Sequence, residues 1–224
     1  MNPQFTKTLP KTAWQSIVIK ENNEPLVEVV ETDRIKIGEG FKIDYNPTYF
    51  VRKTVADKLI EVSKKLPENV NLILIEGYRT MESQQKLWDD HFEKIKIESP
   101  NLSVEQIEDK VKMIVARPNP LANHHCGGAI DVTLCFDNGE SLDMGTPYPS
   151  EPASFDVQNK YPMLCDEISE DQFNNRKILR DVMTSCSFVW YPGEWWHYCY
   201  GDRMWAVYTD QIECLYGPVE LQTL

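Results

Sequence analysis

This chain of 224 residues has no long apolar run, few histidines and a shortage of positive charge. Each lack removes a class of function. No stretch approaches the ~18 consecutive apolar residues of a membrane-spanning helix, so no span is expected. The opening Met1-Asn2-Pro3-Gln4-Phe5-Thr6-Lys7 lacks the apolar centre of a secretory signal, and a cytoplasmic location is expected. Lysine and arginine number 23 against 35 aspartates and glutamates, a net charge of −12. Phosphate backbones are bound by basic surfaces, so this balance argues against a nucleic-acid partner, though not against a small substrate. The six cysteines (126, 135, 165, 186, 199 and 214) contain no C-x-x-C pair, which speaks against a cysteine zinc site and for buried free thiols. There is no internal repeat and no low-complexity tract.

What is present fits an ordinary globular chain, 42% hydrophobic and 26% charged, long enough for one domain over residues 1–224. Residues 14–31 carry short apolar runs around Asn22-Asn23, which predicts an N-terminal hairpin. Val55, Leu59, Ile60 and Val62 recur at helical spacing between Val51 and Leu66, and Pro67 closes that helix. Asn71–Glu76 reads as a short buried strand ending in the turn Gly77-Tyr78-Arg79. Thr80 caps a second helix; Ser103, with Gln106 completing a capping box, starts a third. Ala129 to Phe136 alternates as a strand, with Asp131, Thr133 and Cys135 on one face. Asp137-Asn138-Gly139 is a turn leading to a partner strand near Leu142. A helix is predicted over 171–186, then a strand over 188–191, the turn Pro192-Gly193 and a strand over 195–200. Helices first and hairpins later predict an α+β fold with an antiparallel sheet.

The chemistry gathers in two stretches that hold three of the four histidines: His124-His125-Cys126-Gly127-Gly128-Ala129-Ile130-Asp131 and Glu194-Trp195-Trp196-His197. Two imidazoles and a carboxylate can hold Zn²⁺ with a fourth position open. Alone, Asp131 reads as a solvated strand carboxylate and His197 as a core histidine; together they make a joint site. His124 and Asp131 are seven apart, so one regular strand would aim them to opposite faces. The pair Gly127-Gly128 supplies the bend that lets both reach one point. His125, six from Asp131, is the rival ligand on parity. Glu194, set at a bend after Pro192-Gly193, can move a proton. Arg79 can pair with the oxyanion formed when water attacks a carbonyl.

These residues resemble the zinc D-alanyl-D-alanine dipeptidases, the vancomycin-resistance type and its relatives. The family pattern Ser-x-His-x-x-Gly-x-Ala-x-Asp is matched by His124, Gly127, Ala129 and Asp131, and Glu-x-Trp-His by Glu194, Trp196 and His197. Gly77-Tyr78-Arg79 matches the family's arginine turn. Likeness continues in Ile130–Leu134, Leu142–Thr146, Asn175-Arg176 and Trp195–Tyr198, so it covers roughly residues 50–206. The resemblance implies one Zn²⁺ per chain on His124, Asp131 and His197, with His124 rather than His125 as the ligand. It makes Glu194 the proton shuttle and Arg79 the stabiliser of the transition state, acting on a small dipeptide. Two positions depart from the pattern. The family's serine is Ala122, which leaves Asn123 as the candidate substrate-binding substitute. The family's aspartate, which pairs with the substrate ammonium, falls at Pro149, and Glu151 is the nearby candidate. The same metal logic would serve a carboxypeptidase trimming peptidoglycan stem peptides. A non-catalytic zinc-containing binding module is a third reading, but it would need neither Glu194 nor Arg79.

Overall fold

The computed structural model describes residues 12–38, 45–119, 123–148 and 155–221. In chain order its elements are α1 (Thr12–Gln15), β1 (Val18–Ile19), β2 (Leu26–Glu28), β3 (Ile35–Ile37), β4 (Phe50–Arg52), α2 (Lys53–Lys65), β5 (Val70–Glu76), α3 (Met81–Glu98) and α4 (Val104–Ile114). They continue with β6 (Ala129–Phe136), α5 (Phe155–Gln158), α6 (Glu170–Ser185), β7 (Val189–Trp190), β8 (His197–Cys199), α7 (Arg203–Tyr208) and β9 (Glu213–Cys214).

The central sheet has five strands in the order β3-β5-β6-β8-β7. From β5 onward every pairing is antiparallel, but β3 runs parallel to β5. The sheet is therefore mixed rather than purely antiparallel. The reason lies in the connection: β4 and the helix α2 intervene between β3 and β5, and a crossover of that length returns the chain in the same direction. All seven residues of β5 are buried, as are the first seven of β6, so the middle of the sheet is covered on both faces. One cover is α2, which buries Val55, Leu59 and Val62.

The expected N-terminal hairpin does not form. β1 pairs in parallel with β9, and β2 pairs antiparallel with β4. The local turn signal at Asn22-Asn23 loses to two partners distant in sequence, because β1 and β2 are too short to stabilise each other in isolation. Instead, Glu21 and Glu24 of the intervening segment reach Arg52 Nη2 (3.0 Å) and the backbone N–H of Thr54 (2.9 Å).

The helix starts follow the capping signals. Thr80 accepts from Ser83 N at the start of α3, and Ser103 with Gln106 forms the full capping box of α4. A second box, Ser169 with Gln172, starts α6. From α6 the fully buried Arg176 donates to three backbone carbonyls: Met144 O (2.7 Å), Pro162 O (2.7 Å) and Lys160 O (2.8 Å). Asn175 Nδ2 adds a bond to Asp143 O (2.8 Å). These bonds fix the loop that follows the Asp137–Gly139 turn against the sheet.

The turn after β5 is fixed by close approach. Gly77 N donates to Thr48 O (2.7 Å) and Tyr78 N to Phe50 O (2.7 Å). A Cβ on Gly77 would lie 2.4 Å from Phe50 O and 2.9 Å from Val51 Cγ1. Since the first obstacle is backbone, the turn itself must move. We therefore expect Gly77→Ala to lower folding stability by about 1–3 kcal/mol, read from the denaturant midpoint.

Candidate active site

Across the sheet, Asp131 of β6 sits directly opposite His197 of β8. The bond from Val132 N to Trp196 O (3.0 Å) makes Asp131 and His197 a non-hydrogen-bonded pair, the kind whose side chains approach most closely. His124 comes from outside the sheet, on a 3₁₀ turn over Asn123–Cys126. Gly127, at φ +72°, then bends the chain into β6. The parity conflict between His124 and Asp131 is resolved because His124 is not on a strand at all.

Three donor atoms converge. His197 Nδ1 lies 3.0 Å from Asp131 Oδ1, His124 Nε2 lies 3.5 Å from the same oxygen, and the two imidazole nitrogens are 3.3 Å apart. Zinc bonds of about 2.0–2.2 Å give a tetrahedron with edges of about 3.3–3.6 Å, so this triangle is close to one of its faces. The tautomers agree with that use. His124 Nδ1–H donates to Gly77 O (2.8 Å), an atom that can only accept, which leaves Nε2 with its lone pair. His197 turns Nε2 toward Cys199 Sγ (3.3 Å) and Nδ1 toward the other two donors. The donor set of two neutral imidazoles and one carboxylate thus fits zinc. All three side chains are buried. Burial opposes the charge on Asp131, but with no cation bound, the positive charge and N–H donors of the flanking His124 and His197 outweigh it and hold its carboxyl well below the usual carboxylate range.

His125 takes no part in the triangle. Its Nδ1–H donates to Arg79 O (3.2 Å), its Nε2 lies 3.5 Å from Glu220 Oε1, and its ring packs on Tyr78 (5.5 Å between centroids). It braces the arginine turn.

Glu194 stands in the turn before β8, half-buried, with its backbone N–H on Tyr191 O (3.2 Å). Burial pushes its carboxyl up to about 7, with His197 and Arg79 pulling down and Asp131 pushing up. A carboxyl poised there can both take and give a proton near neutrality. Arg79 is held by Glu76: Nε donates to Oε1 (3.0 Å) and Nη2 to Oε2, while Nη1 donates to Gln84 Oε1 (3.0 Å). Three of the five guanidinium N–H groups are thereby used, which leaves, among the described residues, one without a partner on each terminal nitrogen. The charge of Arg79 acts on both His124 and Glu194.

Sequence reasoning missed Glu76 as a functional residue. The strand pairing shifts between Leu74 and Glu76, so that Glu76 rather than Ile75 sits opposite Asp131. This bulge brings Glu76, Asp131 and His197 into one row across β5, β6 and β8. Glu76 is fully buried and also accepts from Tyr45 OH (2.7 Å). Tyr148 was missed as well: its hydroxyl donates to Asp131 Oδ2 (2.9 Å). Burial and the nearby Asp131 and Glu76 charges hold that phenol well above the ordinary tyrosine range, so it remains a donor. Asn123 turns its amide nitrogen toward Cys199 Sγ (3.9 Å) and Met204 Sδ (3.8 Å). Ala122, Pro149 and Glu151 lie outside the described residues. All six cysteines are free thiols, five of them buried.

Hydrolysis by metal-assisted attack of water calls for a cation with an open corner, a proton carrier and a fixed positive charge. The sheet and its three flanking turns assemble the groups for all three, which defines a zinc metallopeptidase. Comparison with known proteins narrows the class. The family model of peptidase M15, D-Ala-D-Ala dipeptidase, matches residues 40–217. A D-alanyl-D-alanine dipeptidase from Synechocystis sp. is 30% identical over 243 residues, covering 94% of this chain and 98% of the relative. Another from Escherichia coli K12 is 26% identical over 151 residues, covering 66% of this chain and 65% of the relative. Among solved structures, VanYB in complex with D-alanine-D-alanine aligns with a TM-score of 0.46 at 16% identity, over 88% of this chain and 94% of that one. The chain belongs to the D-Ala-D-Ala dipeptidase family of peptidases. Its members are zinc-dependent. Among the described residues no helix is long and apolar enough to cross a membrane.

Two outcomes are expected from this geometry. Removing one side of a buried ion pair strands the other charge, so Glu76→Ala should cost about 3–5 kcal/mol of stability by chemical denaturation. His124→Ala should lose most of its zinc by elemental analysis, whereas His125→Ala should keep it; the reverse order would move the ligand by one position.

Proposed function

We propose that this chain hydrolyses D-alanyl-D-alanine or a similarly small D-amino-acid dipeptide. His124 Nε2, Asp131 Oδ1 and His197 Nδ1 hold one Zn²⁺, in a single peptidase domain. The observation that carries this reading is the triangle of donor atoms with edges of 3.0, 3.3 and 3.5 Å, set beside Glu194 and the braced Arg79. Family membership supports the substrate class: the relatives from Synechocystis and E. coli are both D-alanyl-D-alanine dipeptidases.

When bound, zinc supplies Lewis acidity, polarising the scissile carbonyl and making water acidic enough to ionise near neutrality. The side chains do the rest. The Glu194 carboxylate takes a proton from the attacking water and returns it to the departing amine, so that the amine leaves neutral. The free N–H groups of Arg79 donate to the oxygen on which negative charge develops. Glu76 and Gln84 hold the guanidinium in place beforehand, so little reorganisation is needed when that charge appears. An aromatic layer supports the loop that bears Tyr148: Trp196 packs edge-on against Tyr148 (5.5 Å) and Tyr161 (4.8 Å).

The direct test is release of D-alanine from D-Ala-D-Ala by the zinc-loaded protein. Release from a longer stem peptide alone would indicate the carboxypeptidase, and release from neither would indicate a binding module. Glu194→Gln should lower kcat by about 10²–10⁴-fold and leave zinc content unchanged, because Glu194 is not one of the three donors. The pH profile follows from the same residue. Glu194 must be ionised to accept a proton, and its carboxyl is pushed up to about 7. A neighbouring cation can only lower that value. kcat/KM should therefore rise with pH along an acidic limb whose midpoint lies at or below about 7, and this limb should vanish in Glu194→Gln.

A further inference from the structure

We propose that Tyr148 is a positioning residue for the metal, its hydroxyl holding the outer oxygen of Asp131 so that this carboxylate meets the cation through Oδ1 alone. This rests on the ligand set proposed above.

The two oxygens of Asp131 have separate tasks. Oδ1 faces both imidazoles, at 3.0 Å from His197 Nδ1 and 3.5 Å from His124 Nε2. Oδ2 accepts from Tyr148 OH at 2.9 Å. A carboxylate with a free second oxygen can swing and chelate a divalent cation through both. In a site with two imidazoles, that grip would crowd the corner needed by water and substrate and raise the coordination number toward five. A hydrogen bond to an ionised acceptor is roughly twice as strong as a neutral one, so the phenol opposes the swing. The outer partners of metal ligands act in this way, orienting the ligand and tuning the charge it donates.

The phenol is itself well fixed. The residue is 8% exposed, and its ring meets Trp196 edge-on, with centroids 5.5 Å apart at 76°. The loop leading to it is anchored by Arg176 on Met144 O (2.7 Å) and by Trp195 Nε1 on Thr146 Oγ1 (2.9 Å). Trp195 and Trp196 directly precede the ligand His197, so the segment that delivers one imidazole also steadies the tyrosine that orients the carboxylate. A side chain with only a packing role would need no hydroxyl on this oxygen.

The test compares wild type with Tyr148→Phe, which keeps the ring and removes the hydroxyl. Zinc affinity is measured by chelator competition, and cobalt(II) replaces zinc for visible absorption. Wild type should bind one metal ion with the intense bands of four-coordinate cobalt. Tyr148→Phe should bind zinc about 10–100-fold more weakly, with cobalt bands that lose intensity as the second carboxylate oxygen joins. The cobalt spectrum decides, because it is read on loaded, folded protein whatever the variant's stability. An unchanged spectrum overturns the proposal even if affinity falls, since packing loss alone gives that result. Failure of wild type to bind zinc would instead overturn the ligand set.

Discussion

The site depends on one register. Pairing β6 with β8 so that Asp131 lies opposite His197 places two donors side by side before any cation is considered. A slip of one residue would send one of them to the other face. Neighbouring elements hold the register. β5 extends the row through Glu76, β7 closes the sheet beyond β8, and the tryptophans before His197 are buried beneath it. The third donor then needs only a short turn, and the bond from His124 Nδ1 to Gly77 O ties that turn to the one bearing Arg79.

This arrangement concentrates buried charge. Glu76, Asp131 and Arg79 lie close together under little solvent, and each is tolerable only because the others are placed. The Glu76–Arg79 pair neutralises itself and leaves donors to spare. Asp131 is held by two imidazoles and a phenol. Glu194, by contrast, makes no side-chain hydrogen bond among the described residues, so no such bond offsets the burial that raises its carboxyl. The group meant to exchange a proton is the one left least constrained, while those meant to hold still are tied on several sides.

The two metal motifs, the arginine turn and the helix caps at Thr80 and Ser103 were legible in the sequence because each is written in adjacent residues. The alternation of Ala129–Phe136 gave the strand that bears Asp131. What stayed hidden was non-local. Glu76 read as the end of a buried strand, since nothing in a single strand's pattern announces a bulge that turns its last carboxylate toward a neighbour. Tyr148 sits in a proline-bearing loop whose position is set by Arg176, 28 residues further on. The parallel edge strand β3 and the failed N-terminal hairpin share that cause: two- and three-residue strands carry too little local preference to choose their own partners.

β1 and β9 pair Val18–Ile19 with Glu213–Cys214, and Arg52 Nη2 reaches both Glu21 Oε2 (3.0 Å) and Gly217 O (3.1 Å). Tyr78 OH reaches Val219 O (2.9 Å), so the arginine turn leans on the same late segment. A ribosome releases its product from the amino end first. Until residues 197–219 have emerged, the polypeptide therefore lacks both His197 and the strap that steadies the arginine turn. The donor triangle closes only after stretches distant along the chain have met.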